Sequence, residues 1–424
     1  VYFISTLFFT VLLLMNLSNS ESNYSNEKIP RLLQSYRLCD HCIGRLCTHR
    51  KEDELFQQAG KRVREKYTTF SKTLENNCEL CNGLFEELPE FYQIAFDSVK
   101  DYEFNTFLIG CKIDEDISKR ENQIIEEFNL EDTASVKQEI NEYIGIRLEE
   151  EIEKTVSFKH PDIMIILNTQ FNVVSLQIKP LYLFGRYNKF QRGIPQTKWF
   201  CRQCHGKGCR YCKYTGKLYE DSVEEFIAKP VVKASQAEDE AFHGAGREDI
   251  DVRMLGDGRP FVLEVKNPKK RTLDLATLTK QIKTESNDAI AVNSFKYTES
   301  SDIARIKEAH FQKVYVVKIH ASVPIQKEKL KKVAESLQGT TINQQTPTRV
   351  AKRRAKKVRK RQIYRCNVLE VDEDRASIEI ESESGTYIKE LITGDNGKTQ
   401  PNLSALLDFA CSVDALDVKQ VKGE

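Results

Sequence analysis

No stretch of this sequence is apolar for long enough to span a bilayer as a helix. The best candidate, Phe3 to Leu14, falls short of the roughly 20 residues a span needs. That stretch also lacks a basic lead-in and a small-residue cleavage site, which argues against a secretory signal. Residues 1–28 read instead as an extension outside the fold, with Met15 as the natural start of translation. No glycine-rich nucleotide-binding loop follows a strand and there is no P-loop. Transferases that grip a nucleotide cofactor in such loops, RNA methyltransferases and sulfur-transferases among them, are therefore disfavoured. Net charge is almost absent, at +1, so the overall balance says nothing about nucleic acid. Apart from a recurring Cys-x-x-Cys there is no internal repeat, and no long low-complexity tract, so neither a solenoid nor a disordered scaffold is expected.

What is present points to a globular, multidomain protein. A chain of 424 residues exceeds one ordinary core and calls for two or three domains. Apolar residues at 40% and charged residues at 30% fit soluble globular domains. Twelve cysteines are few for a disulfide scaffold of this length, and eight of them fall into four Cys-x-x-Cys pairs, which is metal-ligand spacing. Cys39/Cys42 and Cys78/Cys81 are two half-sites separated by 35 residues, with His41 and Cys47 as nearby competitors for a place at the ion. Cys201, Cys204, Cys209 and Cys212 form a tighter set whose intervening glycines let both pairs converge. Both sets suit closed, structural zinc sites, because no water-activating group is placed to leave an open position. Thiolate ligands need a reducing compartment, so the expected location is the cytoplasm.

Along the chain, Glu52 to Tyr67 is amphipathic, and Asp114 to Glu151 has helical period with Val136, Ile140, Tyr143 and Ile144 on one face. Asp162 to Leu167 and Phe171 to Ile178 are rich in Ile, Val, Leu and Phe and predict strands, which together suggest a small α/β domain ending near Pro180. Arg186 to Trp199 mixes cations with rings and contains breakers, and it reads as a surface linker suited to stacking on unpaired bases. Beyond the second cysteine set, Ser222 to Ile227 is helix-like, Phe261 to Val265 and Val314 to Ile319 predict strands, and Ile325 to Leu337 predicts a helix stopping at Gly339. Arg349 to Arg361 holds nine Lys/Arg and no acid, a run able to neutralise phosphates and release counterions; a solvated helix face is the bland alternative.

His243 to Asp249 is a glycine-rich loop ending in Gly246-Arg-Glu-Asp249. A carboxylate beside a cation in such a loop can serve as a nucleophile, with Arg247 holding Asp249 ionised. An isolated Arg-x-Asp more often caps a turn. If Ile250 to Met254 continues as a strand, Asp251 points to the same face as Asp249 and becomes the rival nucleophile.

The surroundings decide between these readings. Gly246 to Gly256, continuing through Gly258 to Glu264, closely resembles the catalytic motif of the tRNA pseudouridine synthases that are tenth of the Pus series, in their archaeal form. Arg192 to Trp199 with the following cysteine set, Gln345 to Arg349 with its basic run, and Ser384 to Glu390 resemble the same family. The resemblance covers Ile29 to Lys419, with Lys352 a departure ahead of Arg353 and Arg354. It implies an α+β protein: a catalytic domain with a mixed, largely antiparallel sheet of pseudouridine synthase type, and an N-terminal zinc-binding THUMP-like α/β domain. The expected boundaries are 29–180 for the THUMP-like domain, 181–221 for a basic linker with its cysteine cluster, and 222–424 for the catalytic domain. The implied reaction converts uridine to pseudouridine in the T loop of tRNA, at positions 54 and/or 55, with no catalytic cofactor. Asp249 is the implied nucleophile. Tyr315 and Tyr387 are the implied substrate-contacting tyrosines, and Arg247, Arg353 and Arg354 are further candidates for substrate contact. The expected partner is tRNA, acted on by a monomer without membrane or obligate protein partner. A non-catalytic zinc-containing tRNA-binding or chaperone-like protein is the alternative, because the tight cysteine set also resembles one DnaJ-type repeat.

Overall fold

The computed structural model describes residues 27–47, 50–51, 54–72, 77–351 and 355–423, which form two units, one ending at Gln177 and the other starting at Ile178. Most of the expected N-terminal extension, together with Lys352, Arg353 and Arg354, lies outside the described residues. Among those described, no helix is long and apolar enough to cross a membrane.

The first unit begins with helices α1 (Lys28–Ser35), α2 (Asp40–Cys47), α3 (Phe56–Lys66) and α4 (Leu88–Val99). Helices α2 and α3 approach at backbone distance: a Cβ on Gly44 would lie 1.9 Å from the Phe56 carbonyl oxygen, and one on Gly60 1.7 Å from that of Asp40. Only glycine permits this contact. After strand β1 (Thr106–Lys112) come α5 (Glu115–Glu127), capped by the Asp114 carboxylate, and α6 (Val136–Ile152), capped by the Ser135 hydroxyl. The period expected over 114–151 is thus two helices, and Val136, Ile140 and Ile144 are fully buried as the spacing requires. A four-stranded sheet of order β2-β1-β3-β4 is completed by β2 (Thr155–Val156), β3 (Ile163–Asn168) and β4 (Val173–Ile178). Strand β1 runs parallel to β3, with Phe107 opposite Ile163, and alternate residues Ile163, Ile165 and Leu167 are buried.

The second unit is built on a ten-stranded sheet. Its strands are β5 (Leu181–Lys189), β6 (Asp239–Gly244), β7 (Arg253–Lys266), β8 (Ile290–Thr298), β9 (Lys313–Ala321), β10 (Thr341–Gln345), β11 (Val358–Asp372), β12 (Arg375–Ser382), β13 (Thr399–Gln400) and β14 (Cys411–Val421). The order is β13-β10-β11-β12-β9-β14-β7-β5-β8, with β6 paired to β7. The registered pairs are antiparallel except β14 with β7, which are parallel. Helices α7 (Val223–Ser235), α8 (Leu275–Glu285), α9 (Ser301–Glu308), α10 (Lys327–Leu337), α11 (Ile388–Thr393) and α12 (Leu403–Leu407) accompany it. Helix α10 buries Leu330, Ala334 and Leu337 and ends just before Gly339, where φ is +75°. This is the mixed, largely antiparallel α+β architecture expected.

Two local expectations are corrected. Residues 181–189 are no linker: β5 is a buried strand paired to both β7 and β8, because its polar residues find backbone partners within the sheet. Arg186 donates to the carbonyls of Asp257, Gly258 and Val421, so its charge is turned inward and cannot greet bases. The basic run beyond Val358 is likewise a strand, β11, and no helix face.

Candidate active site

Strands β6 and β7 pair antiparallel with Gly244 opposite Phe261, and the residues joining them carry Gly246 to Asp249. Gly246 holds φ at +80°, and a Cβ there would lie 3.2 Å from the Arg259 guanidinium, so the turn needs glycine. Side-chain donors tie the loop at several of its carbonyls. Arg259 donates to Ala245 at 2.9 Å and Gln196 donates to Gly246 at 2.9 Å. Lys189 donates from one ammonium to the carbonyls of Ile194, Asp249 and Ile250 at 2.7, 3.3 and 3.2 Å.

Glu248 anchors this network. Its buried carboxylate accepts from the Tyr187 hydroxyl at 2.7 Å and Arg259 Nε at 2.9 Å, and lies 3.7 Å from Lys189 Nζ. Burial and then the Glu248 charge push the Tyr187 phenol well up, so it stays a donor. A buried ion cluster of this kind holds one geometry, since removing a partner strands a buried charge.

Asp249, the next residue, is half-exposed. Its Oδ2 accepts from Arg349 Nη1 at 2.7 Å and lies 3.7 Å from Lys389 Nζ. Arg349 is itself oriented by Glu390, to which Nε and Nη2 donate at 2.6 and 3.3 Å. Lys389 and Glu390 ride on α11, and the preceding residue Tyr387 is clamped by Gln344: Tyr387 N–H donates to Oε1 at 2.9 Å and its carbonyl accepts from Nε2 at 3.0 Å. The carboxylate of Asp251 is engaged by Lys389 at 2.7 Å, and its carbonyl by Arg192 at 2.6 Å.

Tyr315 lies on β9 between Ile380 of β12 and Val418 of β14. Its buried phenol is pushed up to about 12, mainly by desolvation; Arg259 opposes this, and the charge of Asp249 adds to it. Lys313, two residues earlier on the same face of β9, donates to Ser384 Oγ at 3.2 Å; burial, reinforced by the Arg259 charge, pulls its ammonium down to about 7.

Three expectations change here. The cation at Asp249 is Arg349, a hundred residues away, and not Arg247. Arg247 is exposed, with its guanidinium 5.3 Å from the centroid of the Trp199 ring. Ile250 and Asp251 form a turn, with β7 starting only at Arg253, so Asp249 and Asp251 do not share a strand face. Arg349 serves an ion pair and does not stand free for phosphate. Of the basic run that follows, Arg361 pairs with Glu383 at 3.0 Å, whereas Lys356, Lys357 and Lys360 are exposed without an acidic partner among the described residues. Arg353 and Arg354 lie outside the described residues. Glu248, Arg259, Lys189 and Lys313 escaped the sequence reading because each looks like an ordinary strand or loop charge until burial is known. The Lys389-Glu390 pair could have been suspected as adjacent opposite charges in the Ser384–Glu390 motif.

Both cysteine sets converge. In each, four Sγ atoms lie within 4.8 Å of one another. Cys39 and Cys81 are 3.7 Å apart, and the Cys201–Cys209, Cys204–Cys212 and Cys209–Cys212 separations are 3.8 Å. These are far beyond the roughly 2.05 Å of a disulfide. They match the edge of about 3.8 Å for four thiolates around a tetrahedral ion with bonds of about 2.3 Å. Backbone N–H groups of Gly208, Cys209 and Gly216 donate to the sulfurs of the second set at 3.2 Å, as thiolates would require. Either set could therefore hold a metal ion. The competitors drop out: His41 Nδ1 meets Glu139 at 2.6 Å and its ring stacks on Phe85, while Cys47 is a buried thiol pushed up to about 12 by burial.

The family described as "Pus10, C-terminal" matches residues 182–422, and "Pus10 THUMP domain, archaeal" matches residues 91–168. The tRNA pseudouridine synthase Pus10 of Methanocaldococcus jannaschii is 38% identical over 428 residues, covering 92% of this chain and 93% of that protein. The protein of the same name from Methanothrix thermoacetophila is 40% identical over 351 residues, covering 82% and 77%. That of Methanopyrus kandleri is 38% identical over 347 residues, covering 80% and 79%. A THUMP domain joined to this antiparallel-rich sheet makes the chain a THUMP-bearing protein of pseudouridine synthase fold. Within that class it belongs to the Pus10 family.

Proposed function

We propose that this chain is a tRNA pseudouridine synthase that isomerises uridine in the T loop, at positions 54 and/or 55, with Asp249 as the nucleophile. The observation that carries the reading is the carboxylate of Asp249: it sits on a loop pinned from beneath by Lys189, Gln196 and Arg259, and is aimed by Arg349 at 2.7 Å. Preorganisation of that kind is what covalent catalysis by a single carboxylate needs.

The reaction breaks the N1–C1′ bond, forms C5–C1′, and exchanges a proton at C5 for one at N1, with no net redox change. One carboxylate serves as the covalent group whether it attacks the base or the sugar. A uridine in a folded loop must first be extruded, and the rings of Tyr315 and Tyr387 offer it stacking faces. Arg349 and Lys389 supply positive charge beside the attacking oxygen. The other basic residues expected at the substrate, Arg247, Arg353 and Arg354, belong to phosphate contact in this reading, as do Lys356, Lys357 and Lys360.

Zinc is the ion that four thiolates at this spacing suit, in both sets and in a structural role. Thiolate ligands also favour the reducing cytoplasm, where a single chain would act on one tRNA.

Unmodified tRNA incubated with the protein and no cofactor should acquire pseudouridine. Asp249→Asn should abolish product while tRNA affinity stays within about threefold, and Arg349→Ala should cost about a hundredfold in kcat through misplacement of the carboxylate. Product formation by Asp249→Asn would sink the assignment. A wild-type protein that binds tRNA without modifying it would favour the non-catalytic alternative.

A further inference from the structure

The segment Lys198 to Tyr219 contains six Lys/Arg and no Asp/Glu, in a chain otherwise balanced to +1. Its aromatic residues are equally unusual in placement. Phe200, Tyr211 and Tyr214 are 58%, 63% and 77% exposed, although a ring gains most by burial. Arg202, Lys207, Arg210 and Lys213 are exposed and have no ion-pair partner among the described residues. Neutralisation is available close by: Lys217, at the foot of the same knuckle, pairs with Glu225 at 2.7 Å, and Lys229 with Asp221 at 2.6 Å. The knuckle therefore presents unpaired cations and exposed rings to solvent.

That surface is rigidly carried and tied to the catalytic loop. The four cysteines close the knuckle, and Cys201 N–H to Gly216 O at 2.7 Å and Leu218 N–H to Trp199 O at 2.9 Å zip its stem. At the base of the stem, the Trp199 ring lies against the guanidinium of Arg247, two residues before Asp249, and the Lys198 N–H is held by Glu224 at 2.7 Å. The base of the stem thus lies against the loop that carries Asp249.

Rings that can stack on any base, flanked by cations that can meet phosphates, are the equipment of single-stranded nucleic-acid recognition. Six cations with no intervening acid suit a run of phosphates, which makes nucleic acid the favoured occupant. We propose that the outer face of the cysteine knuckle, centred on Tyr211 and Tyr214 with Arg210 and Lys213, is a second RNA-binding site that takes unpaired nucleotides of the substrate tRNA outside the modified position. This rests on the tRNA reading of the active site and extends it to a surface with no assigned role.

The test uses the full chain with Tyr211→Ala/Tyr214→Ala, Arg210→Glu/Lys213→Glu and Tyr211→Trp/Tyr214→Trp, each with tRNA affinity, steady-state pseudouridine formation and bound metal measured. The alanine pair should raise KM and Kd for tRNA about tenfold or more, given what stacking contributes per base. The effect should fall on KM and not kcat, and the tryptophan pair should restore affinity because only a ring is required. The charge-reversal pair should also lower the steepness with which affinity falls with salt, by roughly one to two. Metal content and melting temperature equal to wild type would exclude a merely collapsed knuckle. Unchanged KM and Kd in the alanine pair would overturn the proposal, as would unchanged tRNA kinetics together with loss of a protein contact. Should the wild type make no pseudouridine while the alanine pair still loses tRNA affinity, the catalytic reading fails and the RNA site stands.

Discussion

Lys313 shows how burial changes what a single residue can do. Its ammonium has one hydroxyl partner, Ser384 at 3.2 Å, and lies near the positive Arg259, so its charged form is disfavoured and its proton is lost near pH 7. In the unfolded chain a lysine keeps that proton to about pH 10.4. Between those limits the unfolded state binds more protons, so stability rises with pH from about 7 towards 10.4, and the cost of the buried charge is fully present below pH 7. Lys313→Met should therefore raise the Tm at pH 6, with the gain shrinking as the pH approaches 10, in paired thermal melts. An equal gain at both pH values would mean that shape, not charge, sets the effect. The same scale separates Arg247 from Arg349. Both precede or follow breakers in charged segments, and sequence neighbourhood favours Arg247, yet folding brings Arg349 to Asp249 and lays Arg247 against Trp199.

At the level of elements, close helix packing in the first unit depends on two positions without side chains. Gly60→Ala would put a Cβ 1.7 Å from the Asp40 carbonyl, so α2 and α3 must separate. The expected loss is about 3 kcal/mol, at the upper end for an overpacked contact, and should appear as a lowered denaturation midpoint for this unit. A midpoint unchanged within error would show that the helices slide apart freely. Because Cys39 and Cys42 bracket the N-terminus of α2, such separation also bears on the first cysteine set. Elements were legible in the sequence where the helical period was clear. Helices α6 and α10 are examples, since Val136, Ile140, Leu330 and Leu337 face the interior as their spacing requires. Strand β5 was not legible: Arg186, Asn188 and Lys189 give it the composition of a surface segment. Their burial depends on backbone carbonyls contributed by the residues around Ile250 and Gly256 and by Val421.

For the molecule as a whole, the two metal sets set a count that can be measured. Purified protein should carry two zinc ions per chain; Cys78→Ser/Cys81→Ser and Cys209→Ser/Cys212→Ser should each lower this to one, with a drop in Tm, and chelation should strip both ions from the wild type and lower its Tm further. Metal-free protein with an unchanged Tm would remove the structural role. These sets could be read from sequence because two-residue spacing within each pair is local, and only the convergence of the pairs awaited the fold. The family motifs were equally local, and so was the choice of Asp249 as the residue to test first. The partners of that aspartate were not. Arg349 and Lys389 reach it from segments a hundred or more residues away, Glu390 orients Arg349, and Glu248 gains its role only when Tyr187, Lys189 and Arg259 close over it. Local spacing thus determined which groups this chain brings to the chemistry. Burial and long-range pairing, which depend on the sheet being complete, decided which charges face one another and which, as on the outer face of the knuckle, are left to meet something else.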